Sequence, residues 1–254
     1  MCIYQYVNIC IYKYVFAAYY VLPVLNILYK YFSQKYFNEK FTSLDLSKEC
    51  SYENFSIPSI EDLSILLLQK KFLNGFNITI PYKKQVIPFL HQVSPEVAAI
   101  GACNCVLIRD KKLIGYNTDI IGFEQSLKPF LKSHHTHALV LGTGGAAAAV
   151  TYVLDKLQIA HLSVSRTASE RAIDYESLNE SLLSKYSLII NTSPVGQYPA
   201  ITAAPPIPYQ FLTSQHHLFD LIYNPTETQF LLNGKAKGAT IQNGSEMLIL
   251  QAEE

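Results

Sequence analysis

The stretch Ala138-Leu139-Val140-Leu141-Gly142-Thr143-Gly144-Gly145-Ala146-Ala147 decides the fold of this chain. Four apolar residues read as a buried strand. A glycine-rich turn follows, and Ala-rich sequence to about residue 157 reads as a helix. The turn fits G-x-G-x-x-A, the spacing at which a strand-to-helix turn receives a dinucleotide. Each small residue has a separate reason. Gly142 permits the tight turn, Gly144 lets backbone approach a pyrophosphate, and Ala147 lets helix pack closely on strand. The anion then lies at the helix N-terminus, where unpaired N–H groups and the helix dipole favour negative charge. Thr143, Gly145 and Ala146 complete the candidate cofactor-binding turn.

Downstream, residues 159–164 read as the next strand, followed by Ser165-Arg166-Thr167. An acidic residue at this point would bind the ribose 2′-hydroxyl of NAD. A guanidinium with two hydroxyls suits a 2′-phosphate instead, so the expected cofactor is NADP, with Arg171 close by. Residues 188–191 and 217–223 read as further strands. Strands alternating with helices predict a Rossmann-type parallel sheet.

Upstream the pattern differs. Ser59-Ile60-Glu61-Asp62 has capping-box-like spacing, and Leu63, Leu66, Leu67 and Phe72 follow at helical spacing. Residues 76–80 read as a strand that ends at Pro81. A helix is predicted over about 84–92, with Pro88 inside it. Residues 103–108 and 113–116 read as a hairpin around Arg109-Asp110-Lys111-Lys112. A helix over 121–131 links the halves, and 133–136 reads as a solvated loop in which His134, His135 and His137 are exposed rather than metal-bound. The expected architecture is α/β with two domains. Residues 1–120 form an α/β substrate-binding domain, 121–233 a dinucleotide-binding domain, and 234–254 pack back on the first.

Composition narrows the partners. Lys plus Arg number 20 and Asp plus Glu number 20, a balance that argues against nucleic acid and for small molecules. The five cysteines, Cys2, Cys10, Cys50, Cys103 and Cys105, do not suggest a disulfide framework. Cys103 and Cys105 are read as free thiols rather than metal ligands, and no metal is expected. Residues 14–28 form an apolar run of fifteen, short against the roughly 20 that a membrane span needs. The preferred reading is a strand or helix of the folded domain, or an artefactual start. A targeting or anchoring segment is the alternative.

Three segments carry a resemblance. They are Asn77-Ile78-Thr79-Ile80-Pro81-Tyr82-Lys83; Gly101-Ala102-Cys103-Asn104 with Asn117-Thr118-Asp119; and Tyr223-Asn224-Pro225 with Thr228, then Gly244 through Met247-Leu248 to Gln251. In order and spacing, and together with the glycine turn and Ser165-Arg166-Thr167, they resemble the signatures of shikimate dehydrogenases from about residue 33 to 251. The resemblance implies a cytoplasmic oxidoreductase of aromatic amino-acid biosynthesis, monomer or homodimer, that reversibly reduces 3-dehydroshikimate to shikimate with NADPH. It implies Lys83 and Asp119 as the catalytic pair, the lysine protonating the new alkoxide and the aspartate orienting it and holding a substrate hydroxyl. It further implies Ser33, Thr79, Asn104, Tyr223 and Gln251 as substrate-binding residues. Leu221 and Gly244 join the cofactor site, and Asn191-Thr192-Ser193-Pro194-Val195-Gly196 forms a loop under the cofactor.

Two features depart from the family pattern. Where the family has His-Ser-x-Ser, this chain has Lys30-Tyr31-Phe32-Ser33, so one of the two carboxylate-binding serines is replaced by Tyr31. The sequence also stops at Glu254, where the family continues with more helix. A catalytically impaired NADP-binding remnant and a quinate/shikimate dehydrogenase therefore stand as alternatives.

Overall fold

Runs of apolar and β-branched residues bounded by turn residues place thirteen strands in a computed structural model of the chain, which describes residues 6–11, 15–18, 32–70, 72–79 and 81–254. The strands and helices fall into two units, Met1–Thr118 and Asp119–Glu254. The fold is α/β.

The first unit holds β1 (Tyr6–Ile11), β2 (Val15–Ala18), β3 (Ser51–Ser56), β4 (Gly75–Asn77), β5 (Gln92–Val93), β6 (Cys105–Arg109) and β7 (Lys112–Tyr116) in one mixed sheet. The expected hairpin is present: β6 and β7 pair antiparallel from Cys105↔Tyr116 to Arg109↔Lys112. Asp110 and Lys111 have φ of 50° and 60°, the left-handed pair that a two-residue hairpin turn requires. β4 is shorter than the 76–80 read from sequence: Asn77 is its last residue in register, opposite Cys105, and Ile78 extends the pairing by a single bond, its N–H donating to the Asn104 carbonyl. Ile57, Leu63, Leu66, Phe76, Val86 and Val106 belong to the core of this unit.

Helix Asp62–Gln69 follows half of the expected capping box, with the Ser59 N–H donating to Asp62 Oδ2 at 3.1 Å. The helix expected over 84–92 is corrected: it is a single turn, Tyr82–Gln85, then a 3₁₀ turn, Ile87–Phe89. Pro88 has no N–H to continue an α-helical ladder. Helix Pro95–Ile100 was missed by the sequence reading although its signals are complete. Ser94 caps it by accepting from the Val97 N–H, Pro95 opens it, and Gly101 closes it at φ 64°. Of the apolar run 14–28, residues 15–18 form β2; the remainder and Tyr31 lie outside the described residues.

The second unit is a six-stranded sheet of β8 (His137–Leu141), β9 (Ala160–Ser165), β10 (Ile173–Asp174), β11 (Leu188–Asn191), β12 (His217–Asp220) and β13 (Thr240–Gln242). The spatial order is β10-β9-β8-β11-β12-β13, and every pairing is parallel. Counted from β8 this is 3-2-1-4-5-6, the Rossmann order. β8, β11 and β12 are buried along their whole length apart from His137, as strands covered on both faces must be. Residues 234–254 supply the sixth strand and the closing helix Ser245–Glu253 of this unit. That helix lies against helix Thr118–Leu127, where a Cβ on Gly122 would stand 2.6 Å from the Met247 carbonyl oxygen.

The loop before β8 is also corrected. His135 is buried, its Nδ1 accepts from the Lys132 N–H, and its ring lies 6.1 Å from that of His217. The His134 ring packs edge-on against His135, so histidines from the starts of two parallel strands gather there. Local polarity in the sequence does not show this. Among the described residues, no helix is long and apolar enough to cross a membrane.

Candidate active site

In a parallel sheet, every strand exposes the same end to the same side. Here the register aligns Leu141 with Asn191 and Asn191 with Asp220, so β8, β11 and β12 finish in one row. The row continues one step as Thr192 N–H donates to the Leu141 carbonyl and Leu221 N–H to that of Asn191, each at 3.0 Å. The order reverses at β8, with β9 on one side and β11 on the other. Ligands of open parallel sheets bind outside the strand ends at such a point.

The glycine turn leaves β8 there. Gly142 has φ 123°, and a Cβ on it would stand 2.6 Å from Thr192 Oγ1, which is itself held to the Leu141 carbonyl. Glycine is therefore needed twice, for conformation and for space. A Cβ on Gly144 or Gly145 would meet nothing within 4 Å, so the backbone faces open space. No side chain caps helix Gly145–Lys156, which leaves its first N–H groups to an anion, while Ala147 is buried beneath. Thr143 is exposed and Ala146 half-buried beside them. The residues present thus fit a diphosphate. At the end of β9, the half-buried Ser165 hydroxyl donates to the Thr167 carbonyl, and Arg166 and Thr167 are exposed.

Gly244 is buried, and a Cβ on it would lie 2.1 Å from the Leu221 carbonyl oxygen; its own N–H donates to the Ile222 carbonyl. Leu221, Ile222 and Gly244 are in this way one local structure beyond β12, with Tyr223 the next residue in the chain. Gln251 approaches a different part of the second unit. Its Cβ would be 2.8 Å from one on Gly122, three residues after Asp119 on the same helix. Residues three apart share a helix face, so Gln251 and Asp119 serve one side of helix Thr118–Leu127. Asp119 is buried in the first turn of that helix.

In the first unit, two consecutive residues organise the rest. The Cys103 N–H donates to the Lys83 carbonyl at 2.7 Å. Asn104, also buried, accepts the Thr118 N–H at Oδ1 (2.8 Å) and donates from Nδ2 to Thr118 Oγ1 (3.2 Å). Asn117 donates to the Ala102 carbonyl at 2.9 Å. The dipeptide Cys103-Asn104 thereby fixes the backbone of Lys83 and the residue immediately before Asp119. The Thr79 carbonyl accepts the Tyr82 N–H, which starts the turn carrying Lys83, and buried Tyr82 anchors that turn by donating its hydroxyl to the Ile57 carbonyl. Burial pushes the Cys103 thiol up to about 12, so it is neither a nucleophile nor a ready metal ligand. Ser33 sits near the start of helix Phe32–Ser43, half-buried.

One residue of the second unit was not singled out from sequence. Asp220 ends β12 and is fully buried. Its Oδ1 accepts from Asn191 Nδ2 at 3.0 Å and from the Ile222 N–H at 3.1 Å, and its Oδ2 accepts from the Thr228 hydroxyl at 2.6 Å. Burial pushes its carboxyl up to about 6, against the pull of those three donors. A carboxylate closing the apolar run His217-Leu218-Phe219-Asp220 was the available signal.

The comparisons with known proteins agree with this geometry. A family model described as the shikimate dehydrogenase substrate binding domain matches residues 28–106. A shikimate dehydrogenase (NADP(+)) of Methanosphaera stadtmanae is 33% identical over 225 residues, which is 81% of this chain and 79% of that protein. One of Carboxydothermus hydrogenoformans is 40% identical over 193 residues, 70% and 69% of the two chains. Among solved structures, the shikimate 5-dehydrogenase of Thermus thermophilus, in complex with NADP(H) and shikimate, superposes with a TM-score of 0.76 at 31% identity, covering 87% of this chain and 85% of its own. A chain with these strand ends, this glycine turn and relatives of this identity over most of its length belongs to the shikimate dehydrogenase family.

Proposed function

We propose that this chain is an NADP-dependent shikimate dehydrogenase that reversibly reduces 3-dehydroshikimate to shikimate, and that Lys83 and Asp119 are its catalytic pair. The observation that carries the reading is the Cys103-Asn104 dipeptide, whose N–H holds the Lys83 carbonyl while its amide side chain holds Thr118, the neighbour of Asp119. Two candidate proton-handling groups, far apart in sequence, take their backbone positions from one point.

When bound, the dinucleotide supplies the hydride. The open backbone at Gly144 and Gly145 and the uncapped helix start would hold its diphosphate, and Ser165, Arg166 and Thr167 its 2′-phosphate. Gly142, Thr143, Ala146, Leu221 and Gly244 complete that site. Lys83 donates a proton to the oxygen that was the ketone as negative charge develops on it, and takes the proton back in the oxidative direction. Asp119 orients the ammonium and accepts from a ring hydroxyl. Ser33, Thr79, Asn104, Tyr223 and Gln251 offer neutral hydrogen-bonding groups, which suit a hydroxylated ring carboxylate. A monomer or homodimer in the cytoplasm completes the proposal.

The test is steady-state oxidation of shikimate and of quinate, each with NADP+ and NAD+, by the chain and by Lys83→Ala. Preference for shikimate with NADP+ is expected, and Lys83→Ala should lower kcat at least ~100-fold, as expected for loss of a general acid. Near-normal turnover in that variant defeats the assignment of Lys83. NADPH binding without turnover in the parent chain would instead mark a catalytically impaired relative.

A further inference from the structure

We propose that Asp220 is a positioning residue for the dinucleotide site: through Asn191, Thr228 and the Ile222 N–H, it sets the form of the two loops, 192–196 and 221–228, that flank the cofactor. The proposal rests on the cofactor reading above and adds a residue that touches no ligand.

Its three donors come from three separate segments. Asn191 ends β11, Ile222 lies just past β12, and Thr228 is the N-cap of helix Gln229–Lys235, where its hydroxyl also accepts from the Leu231 N–H. A carboxylate only accepts, so it decides which way a neighbouring amide must face. With Nδ2 committed to Asp220, Asn191 turns Oδ1 outward, where it accepts from both the N–H (3.1 Å) and the hydroxyl (2.7 Å) of Ser193. Asn191 Nδ2 also reaches the Val195 carbonyl at 3.3 Å. Loop 192–196 is thereby pinned along its length. It is this loop that lies against the glycine turn, with Thr192 Oγ1 2.6 Å and the Ser193 nitrogen 3.5 Å from where a Gly142 Cβ would stand.

The other arm runs through Ile222. Drawing its N–H to Asp220 turns residues 221–222 back, and their carbonyls then meet Gly244: that of Leu221 in the close approach, that of Ile222 as acceptor of the Gly244 N–H. One carboxylate therefore ties together residues of the proposed cofactor site that lie far apart in the chain, Gly142 on one arm and Leu221 with Gly244 on the other. None of its three partners is cationic. Among the described residues no cation pairs with it, so neutral donors alone hold this buried carboxyl, an arrangement that stability alone does not favour.

The test compares Asp220→Ala and Asp220→Asn with the parent chain. KM for NADP+ and for shikimate, kcat, direct NADPH binding by fluorescence titration and the melting temperature are measured for each. Asp220→Ala removes every acceptor, and KM for NADP+ and the NADPH Kd should rise about tenfold or more, with KM for shikimate within about twofold. Asp220→Asn keeps an oxygen for Asn191 and Ile222, and its amide can donate to the Thr228 hydroxyl; it should restore NADPH affinity to within about threefold of the parent. Unchanged NADPH affinity in Asp220→Ala overturns the proposal, and so does an Asp220→Asn variant as weak as Asp220→Ala. Should Asp220→Ala not fold, Ser193→Ala tests the same connection from its far end. A rise of about threefold in KM for NADP+ is then expected, and no change overturns it. Failure of the parent chain to bind NADPH is a separate result, which defeats the cofactor reading itself.

Discussion

The two ends of β12 each bury a titratable side chain, and the same burial drives them in opposite directions. At the start of the strand, His217 is pushed down to about 4 by loss of solvent; its ring nitrogens lie against Thr240 Oγ1 at 2.9 Å and Gln242 Oε1 at 3.1 Å. At the end, Asp220 is pushed up to about 6. Both shifts disfavour charge, as a low-dielectric interior must. The consequences differ because His217 is neutral at physiological pH and Asp220 is not. One end of the sheet is built for stability, with rings of His135 and Phe130 packed on His217. The other end keeps a charge that the core would sooner lose, and it is the end from which the glycine turn and both flanking loops depart.

The largest effect should come from filling the turn itself. Gly142→Ala places a methyl 2.6 Å from Thr192 Oγ1 at φ 123°. It should cost about 2–4 kcal/mol of stability and raise KM for NADP+ more than ~10-fold, read by chemical denaturation and steady-state kinetics. A variant with parental kinetics would show that loop 192–196 does not bear on the site.

Next in size is the pH dependence. The folded pKa of Asp220 lies above its unfolded value of 3.8, so the charged form costs stability at neutral pH; the cost grows as pH rises from 3.8 to about 6 and amounts to about 3 kcal/mol. The folded pKa of His217 lies below its unfolded value of 6.5, so its contribution is present above 6.5 and is lost as pH falls toward about 4, again about 3 kcal/mol. In the parent chain the two slopes oppose each other between about pH 4 and 6. Asp220→Asn should unmask the histidine slope, with stability about 1–3 kcal/mol higher at pH 7 and falling steeply on acidification. His217→Gln should unmask the opposite slope. Denaturation midpoints from about pH 4 to 7.5 decide this, and parallel profiles for the parent and both variants would remove the contrast.

The smallest effect is at the start of β13. Thr240→Val removes the hydroxyl beside His217 Nδ1 and should cost about 1 kcal/mol while leaving KM for NADP+ unchanged. A change in cofactor affinity from this end of the sheet would break the division between the two.

The glycine turn was legible because its requirements are local. A left-handed Gly142 and a small residue at position 147 follow from the geometry of one turn on one helix. The hairpin at Asp110-Lys111 and the strands β8, β9, β11 and β12 were legible for the same reason. The helix expected over 84–92 ran too far because Pro88, placed inside it, in fact ends the α-helical ladder. β13 and the buried His135 were missed because three residues of strand and a polar loop carry little pattern of their own.

By itself, then, the sequence determined the glycine turn, the β6–β7 hairpin and the strands β8, β9, β11 and β12, since backbone dihedrals and side-chain periodicity act over a few neighbours. Only the tertiary structure decided the strand order, the burial of Asp220 and the row formed by Leu141, Asn191 and Asp220. Those depend on pairing between segments far apart in the chain, and a parallel strand's register is set by its neighbours in the sheet rather than by its own residues.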